Sequence, residues 1–129
     1  MQRPPAQQAA TVIEGNGRAL LPGLFDMHSH EDAWNEGLQI AGGVTTSRDM
    51  GSDNAYLAGL MRDIAQGDVI GPHIVPAGFI EGESPFSSRG GCVVNDVEAA
   101  RAAIDCYAQR GFAQGKPCNS MKPAGAAPV

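Results

Sequence analysis

The sequence predicts an α/β chain in which short parallel strands alternate with covering helices. Three observations carry this. Apolar or β-branched runs stand at Leu24–Met27, Val44–Arg48 and Ile74–Ala77, separated by segments with helical spacing. Glycines stand where each helical segment should stop: Gly42-Gly43, Gly67 and Gly111. The first apolar run ends in two histidines one residue apart, and parallel α/β proteins build their sites where strands end.

Taken in order, Met1 to Ala10 is rich in Gln, Ala and Pro without periodicity and is expected to be disordered. Residues 11–22 suggest the remnant of a small β-structure, with strands at Thr11–Glu14 and Arg18–Leu21 around a Gly15-Asn16-Gly17 turn. The strand Leu24–Met27 follows. Trp34 to Ala41 is expected to be a short helix with Trp34, Leu38 and Ala41 on one side. The loop before it carries acidic residues, and Glu31, Asp32 and Glu36 read as a solvated acidic loop rather than as metal ligands. Arg48-Asp49 at the end of the second strand reads as structural, closing a layer by an ion pair, rather than as part of a pocket.

Ser52-Asp53 supplies a cap for a helix from Asn54 to Gln66, whose stripe is Tyr56, Leu57, Leu60, Met61 and Ile64. Pro76 is expected at the end of the strand Ile74–Ala77, since proline removes a ladder donor. His73 precedes that strand and reads as a surface or interface histidine, at the opposite end from the histidine pair. Two readings stand for Glu81–Gly91: a substrate-touching loop through Ser84, Ser87, Ser88 and Arg89, or a mobile surface loop. No base is placed beside the serines, which argues against a serine nucleophile. Asn95 or Asp96 caps a helix Val97–Arg110, and Phe112–Cys118 is the next strand.

The functional signal is Pro22-Gly-Leu-Phe-Asp-Met-His-Ser-His30. Side chains alternate along a strand, so His28 and His30 point the same way with Cα atoms roughly 6.5–7 Å apart. Two imidazoles so placed can share one zinc ion, whose nitrogen ligands sit at about 2.0–2.1 Å. Asp26 has the same parity. It either supports a ligating histidine or is a polar residue tied to backbone donors.

Composition narrows the classes. The 129 residues allow one domain with a core, and nine Lys and Arg against fourteen Asp and Glu give a net charge of −5. That balance argues against nucleic acid, whose binders present basic patches. No run of about 18 apolar residues exists to span a membrane, and no signal peptide is apparent. Cys92, Cys106 and Cys118 form neither a disulfide framework nor a Cys-x-x-Cys site, which suits a cytoplasmic setting. An exported form stays open if the first residue is not the native start.

Three of these stretches, in order, resemble the amidohydrolase superfamily of metal-dependent hydrolases. Pro22–His30 looks like its first barrel strand and Gly43-Val-Thr-Thr-Ser-Arg-Asp-Met-Gly51 like its second. Gly71-Pro-His-Ile-Val-Pro-Ala-Gly78 is similar to the third strand of the dipeptidase and imidazolonepropionase-like branch. The resemblance covers about residues 11–123. It implies a (β/α)8 barrel of which strands one to four, residues 23–123, are present, followed by a tail at 124–129. Such barrels need about 250 residues.

The resemblance further implies hydrolysis of an amide or peptide-type C–N bond in a small molecule or short peptide. The metal centre would be binuclear and divalent, most simply zinc, with His28 and His30 as ligands. Lys116, in Gln114-Gly-Lys-Pro-Cys118, matches the carboxylated lysine that bridges the two metals and so also stands among the catalytic groups. Gly115 and Pro117 flank it where the family has apolar strand residues. Two further histidines and a proton-shuttling aspartate belong to later strands, beyond Val129. The expectation is therefore an isolated chain with no activity, which functions only with a second half or as a homo-oligomer.

Overall fold

The computed structural model describes residues 11–122. Among them six strands and three helices follow in the order β1 (Leu24–Ser29), α1 (Glu36–Ala41), β2 (Val44–Asp49), α2 (Asn54–Gln66), β3 (His73–Val75), β4 (Ala77–Gly82), β5 (Cys92–Val94), α3 (Val97–Gln109) and β6 (Gln114–Pro117). The expected tails at 1–10 and 124–129 lie outside the described residues.

The helices start and stop for local reasons. Asp53 accepts the amides of Ala55 and Tyr56 at 3.0 and 2.9 Å, and Gly67, in the left-handed region at φ 83°, closes α2. Between Asn95 and Asp96, it is Asp96 that caps α3, accepting the Ala99 amide at 2.7 Å. One face of each long helix is buried, against a different sheet.

All strand pairs are parallel. One sheet has the order β1-β2-β3, the other β5-β4-β6. The single strand expected at Ile74–Ala77 is two. Pro76 separates β3, which pairs with β2, from β4, which pairs with β5 and β6. A residue without an N–H cannot continue a ladder on both sides, so the chain changes sheet there. The expected polar loop Glu81–Gly91 is correspondingly shortened at its start, because Glu81 and Gly82 belong to β4, and β5 follows it directly.

Leu57, Leu60 and Ile74 form the core under α2, while Ile80, Val94, Ala100, Ala103 and Tyr107 form that under α3. Phe112 packs against both. Tyr107 ties the second core together: its hydroxyl donates to the Phe79 carbonyl at 2.7 Å and accepts the Cys92 amide at 3.2 Å. Its ring lies flat on β4, where a Cβ at Gly78 would fall 2.3 Å from the ring. Gly78→Ala is therefore expected to cost about 1–3 kcal/mol by overpacking, read as a lowered thermal midpoint. An unchanged midpoint would mean that the ring moves aside freely.

Residues 11–21 form no strands, contrary to expectation. The turn itself is present, with Asn16 and Gly17 at φ 48° and 79° and the Arg18 amide bonded to the Gly15 carbonyl at 2.9 Å. The flanking side chains meet no apolar face, and Ile13 and Leu20 are 88% and 99% exposed. Two short segments without a third strand or a covering layer are too weak a hairpin.

Candidate functional site

β1 is longer than its apolar run and carries His28, with His30 immediately after its end. Its pairing with β2 slips between Asp26 and Ser29. The slip is held by two contacts. Asp26 Oδ1 accepts the His28 amide at 3.0 Å, and the Arg48 guanidinium donates to the Met27 carbonyl at 2.8 Å. Asp26 is thus tied to a backbone donor, and Arg48 is structural without an ion pair.

Ser29 points towards α1, where Gln39 Nε2 approaches its hydroxyl at 3.4 Å. His28 and His30 therefore project from the other face, where both are exposed. Their ring centres are 5.6 Å apart, with the planes tilted by 50°. With each nitrogen about 2.0–2.1 Å from a tetrahedral zinc and each ring centre about 1 Å further out, two ligating rings would sit roughly 5 Å apart. The ring separation is close to that of two ligands to one ion. Among the described residues no group of three His, Cys, Asp or Glu side chains gathers into a metal site.

Lys116 lies in β6, half-buried and in register with Phe79 of β4. The flanking residues have specific places. A Cβ on Gly115 would come 2.9 Å from Ile104 Cδ1, so this position faces α3 and must be small. Lys116 consequently points to the side away from the helix. The Cys118 amide donates to the Ile80 carbonyl at 2.9 Å. By alternation Pro117 sits with its missing donor towards the open edge, where the ladder loses nothing.

Phe79, the register partner of Lys116, also lies beside the turn after β2. At the Cβ position of Gly51 the Phe79 ring is 3.5 Å away and His30 Cε1 3.6 Å away. Gly51 has φ 129°, a backbone that glycine alone adopts readily. The turn after β2 thus brings the histidine end of β1 and the Lys116 partner to one side of the strands. His73 is exposed at the start of β3, the opposite end.

Behind the histidines, two of the three residues read as a solvated acidic loop are buried: Glu31 is 5% exposed and Glu36 0%, while Asp32 is half-buried. Asp49, at the end of β2, is also 0% exposed. Asp49 accepts the Ser52 hydroxyl at 2.6 Å, and that hydroxyl accepts the Glu31 amide at 2.7 Å. The short helix α1 folds over this end of β1, which no local polarity pattern could signal. Burial, together with the neighbouring Glu31 carboxylate, pushes the Glu36 pKa up to about 7.

Glu81, another buried acid that sequence reading left in a loop, is different. Burial works against its ionisation. The amides of Ser120 and Gly82, which its Oε1 accepts at 3.0 and 3.2 Å, nevertheless hold its carboxyl below the usual range. Ser84 and Ser87 are engaged with each other, with Ser120 and with the Gly82 carbonyl, so their hydroxyls brace the loop.

No protein-family model and no curated protein matches the chain. Among solved structures it is similar to an amidohydrolase, with TM-score 0.67 and 20% identity over 89% of this chain and 38% of that one. A Bifidobacterium longum protein assigned as a prolidase matches with TM-score 0.62 and 23% identity over 78% of this chain and 27% of that one. The ochratoxinase of A. niger matches with TM-score 0.57 and 19% identity over 74% of this chain and 33% of that one. The chain therefore spans between 27% and 38% of the length of these proteins. At such identities the likeness is one of fold, an α/β arrangement of parallel strands shared with part of each.

Proposed function

We propose that this chain carries the first part of the active site of a metal-dependent hydrolase acting on amide or peptide-type C–N bonds. The frame would be the first four strands of a (β/α)8 barrel. The observation that carries the reading is the histidine pair, 5.6 Å apart on the face of β1 turned away from the helices. The likeness to proteins named amidohydrolase, prolidase and ochratoxinase supports it. The prolidase name favours a dipeptide-sized substrate.

His28 and His30 would hold a divalent ion, most simply zinc, and Lys116, once carboxylated, would bridge to a second. Such an ion polarises the scissile carbonyl and lowers the pKa of a bound water. The chain's own contribution is positional. Asp26 and Arg48 hold the β1 slip beside the histidines, and Phe79, the register partner of Lys116, lies near Gly51 and His30. The free cysteines Cys92, Cys106 and Cys118 suit a reducing, cytoplasmic compartment.

Zinc calorimetry on the wild type and on the His28→Ala/His30→Ala double variant tests the assignment. The wild type is expected to take up zinc and the double variant to lose at least about tenfold in affinity. Equal uptake by both would remove the site. Among the described residues no third His, Cys, Asp or Glu gathers with the pair, so the isolated chain is expected to turn over no dipeptide or acyl amino acid with zinc added. Turnover abolished by His28→Ala would show that it assembles a competent centre alone.

The open apolar side of β1 supports a second reading, a half-barrel module that acts with a second half or a copy of itself. Phe25, Met27, Thr46, Arg48 and Val75 line a groove there.

A further inference from the structure

We propose that Glu31, Glu36 and Gln39 form a separate site for a hard cation, best suited to calcium, on the α1 side of β1, opposite the histidines. Their side chains are 5%, 0% and 9% exposed. Four of their oxygens have no hydrogen-bond partner: Glu31 Oε1, both carboxyl oxygens of Glu36, and Gln39 Oε1. The four belong together. Gln39 Nε2 donates to Glu31 Oε2 at 3.1 Å, which places its amide at that carboxylate, and Glu36 lies within hydrogen-bonding reach of Glu31.

No cationic side chain among the described residues forms an ion pair with these charges. Among the described residues the one ion pair is Arg62–Asp63, on the exposed surface of α2. Arg48 donates to the Met27 carbonyl instead. Asp32 and Asp49 add negative charge nearby, and Asp49 is occupied by Ser52. A proton shared between Glu31 and Glu36 would satisfy one oxygen of each carboxyl. With the Asp32 amide within reach of the Glu36 carboxylate, it would leave Gln39 Oε1 unmet, and a buried unpaired polar atom costs about 1–3 kcal/mol. A cation meets all four.

The chemistry of the set selects the ion. An all-oxygen site of carboxylates and an amide carbonyl suits calcium or magnesium, not zinc. Calcium accepts bidentate carboxylates at about 2.3–2.6 Å in irregular geometry, whereas magnesium demands a near-octahedral shell. With only two carboxylates the affinity belongs in the weak class, Kd about 10⁻⁴–10⁻³ M. This site does not depend on the histidine reading, since none of its donors lies on that face.

The test is thermal unfolding of chelator-treated protein at constant ionic strength, with calcium chloride titrated in. At about 10 mM calcium the midpoint of the wild type is expected to rise by roughly 5–10 °C. Glu36→Gln should abolish the rise, and Gln39→Glu, which adds a third carboxylate, should bring it on at lower calcium. The His28→Ala/His30→Ala variant should keep it in full. No rise in the wild type overturns the proposal. So does a rise that survives Glu36→Gln, or one lost with the histidines, which would place calcium at the other centre.

Discussion

In metal-free buffer, Glu36→Gln is expected to flatten the pH dependence of stability and to make the protein more stable than the wild type above neutrality. The Glu36 pKa is raised from 4.5 to about 7 by burial and by the adjacent Glu31 carboxylate. Between these values the folded chain keeps a proton that the unfolded chain has released. Unfolding then releases protons, so stability falls as pH rises through that window and the deficit is complete above it. A shift of that size corresponds to roughly 3 kcal/mol. Glutamine fills the same space, needs no ionisation, and its amide can donate to Glu31. Urea denaturation at several pH values from 5 to 8 measures both slopes. Parallel curves for the two proteins would show that Glu36 is hydrated and ionised like a surface residue.

The second large effect concerns association. The chain is expected to sediment as a dimer or larger species and to bind a hydrophobic dye. Leu24, Phe25 and Met27 of β1 are 59%, 67% and 55% exposed, an apolar run that water covers poorly. β1 pairs only with β2, and β6 only with β4, so each leaves a row of backbone groups open. Open parallel edges beside apolar side chains invite pairing with another chain. A Phe25→Asp/Met27→Lys variant should shift the population to monomer and lose the dye. Sedimentation velocity decides. A wild-type monomer that melts cooperatively and binds no dye would show that this face is adequately covered as it stands.

Much of the layout is local and legible in the sequence. The bounds of α2 follow from an Asp53 cap and a Gly67 stop that act within a few residues, and the structure keeps both. That His28 and His30 share a side follows from strand alternation, and their rings lie 5.6 Å apart. The sequence by itself therefore determined where the two long helices and the strands β1, β2 and β6 lie.

What it could not determine is which partner each element meets. Pro76 marks locally where a ladder must break, but which sheet the chain joins next depends on which neighbours offer a ladder. Gly115 looks like a flaw beside Lys116 until Ile104 of α3 is seen to occupy the space a side chain would take. Glu31 and Glu36 carry every local mark of a solvated loop. They are buried because α1 folds across the end of β1, a choice made by packing between elements, where the burial of charge is decided by what lies on the other side.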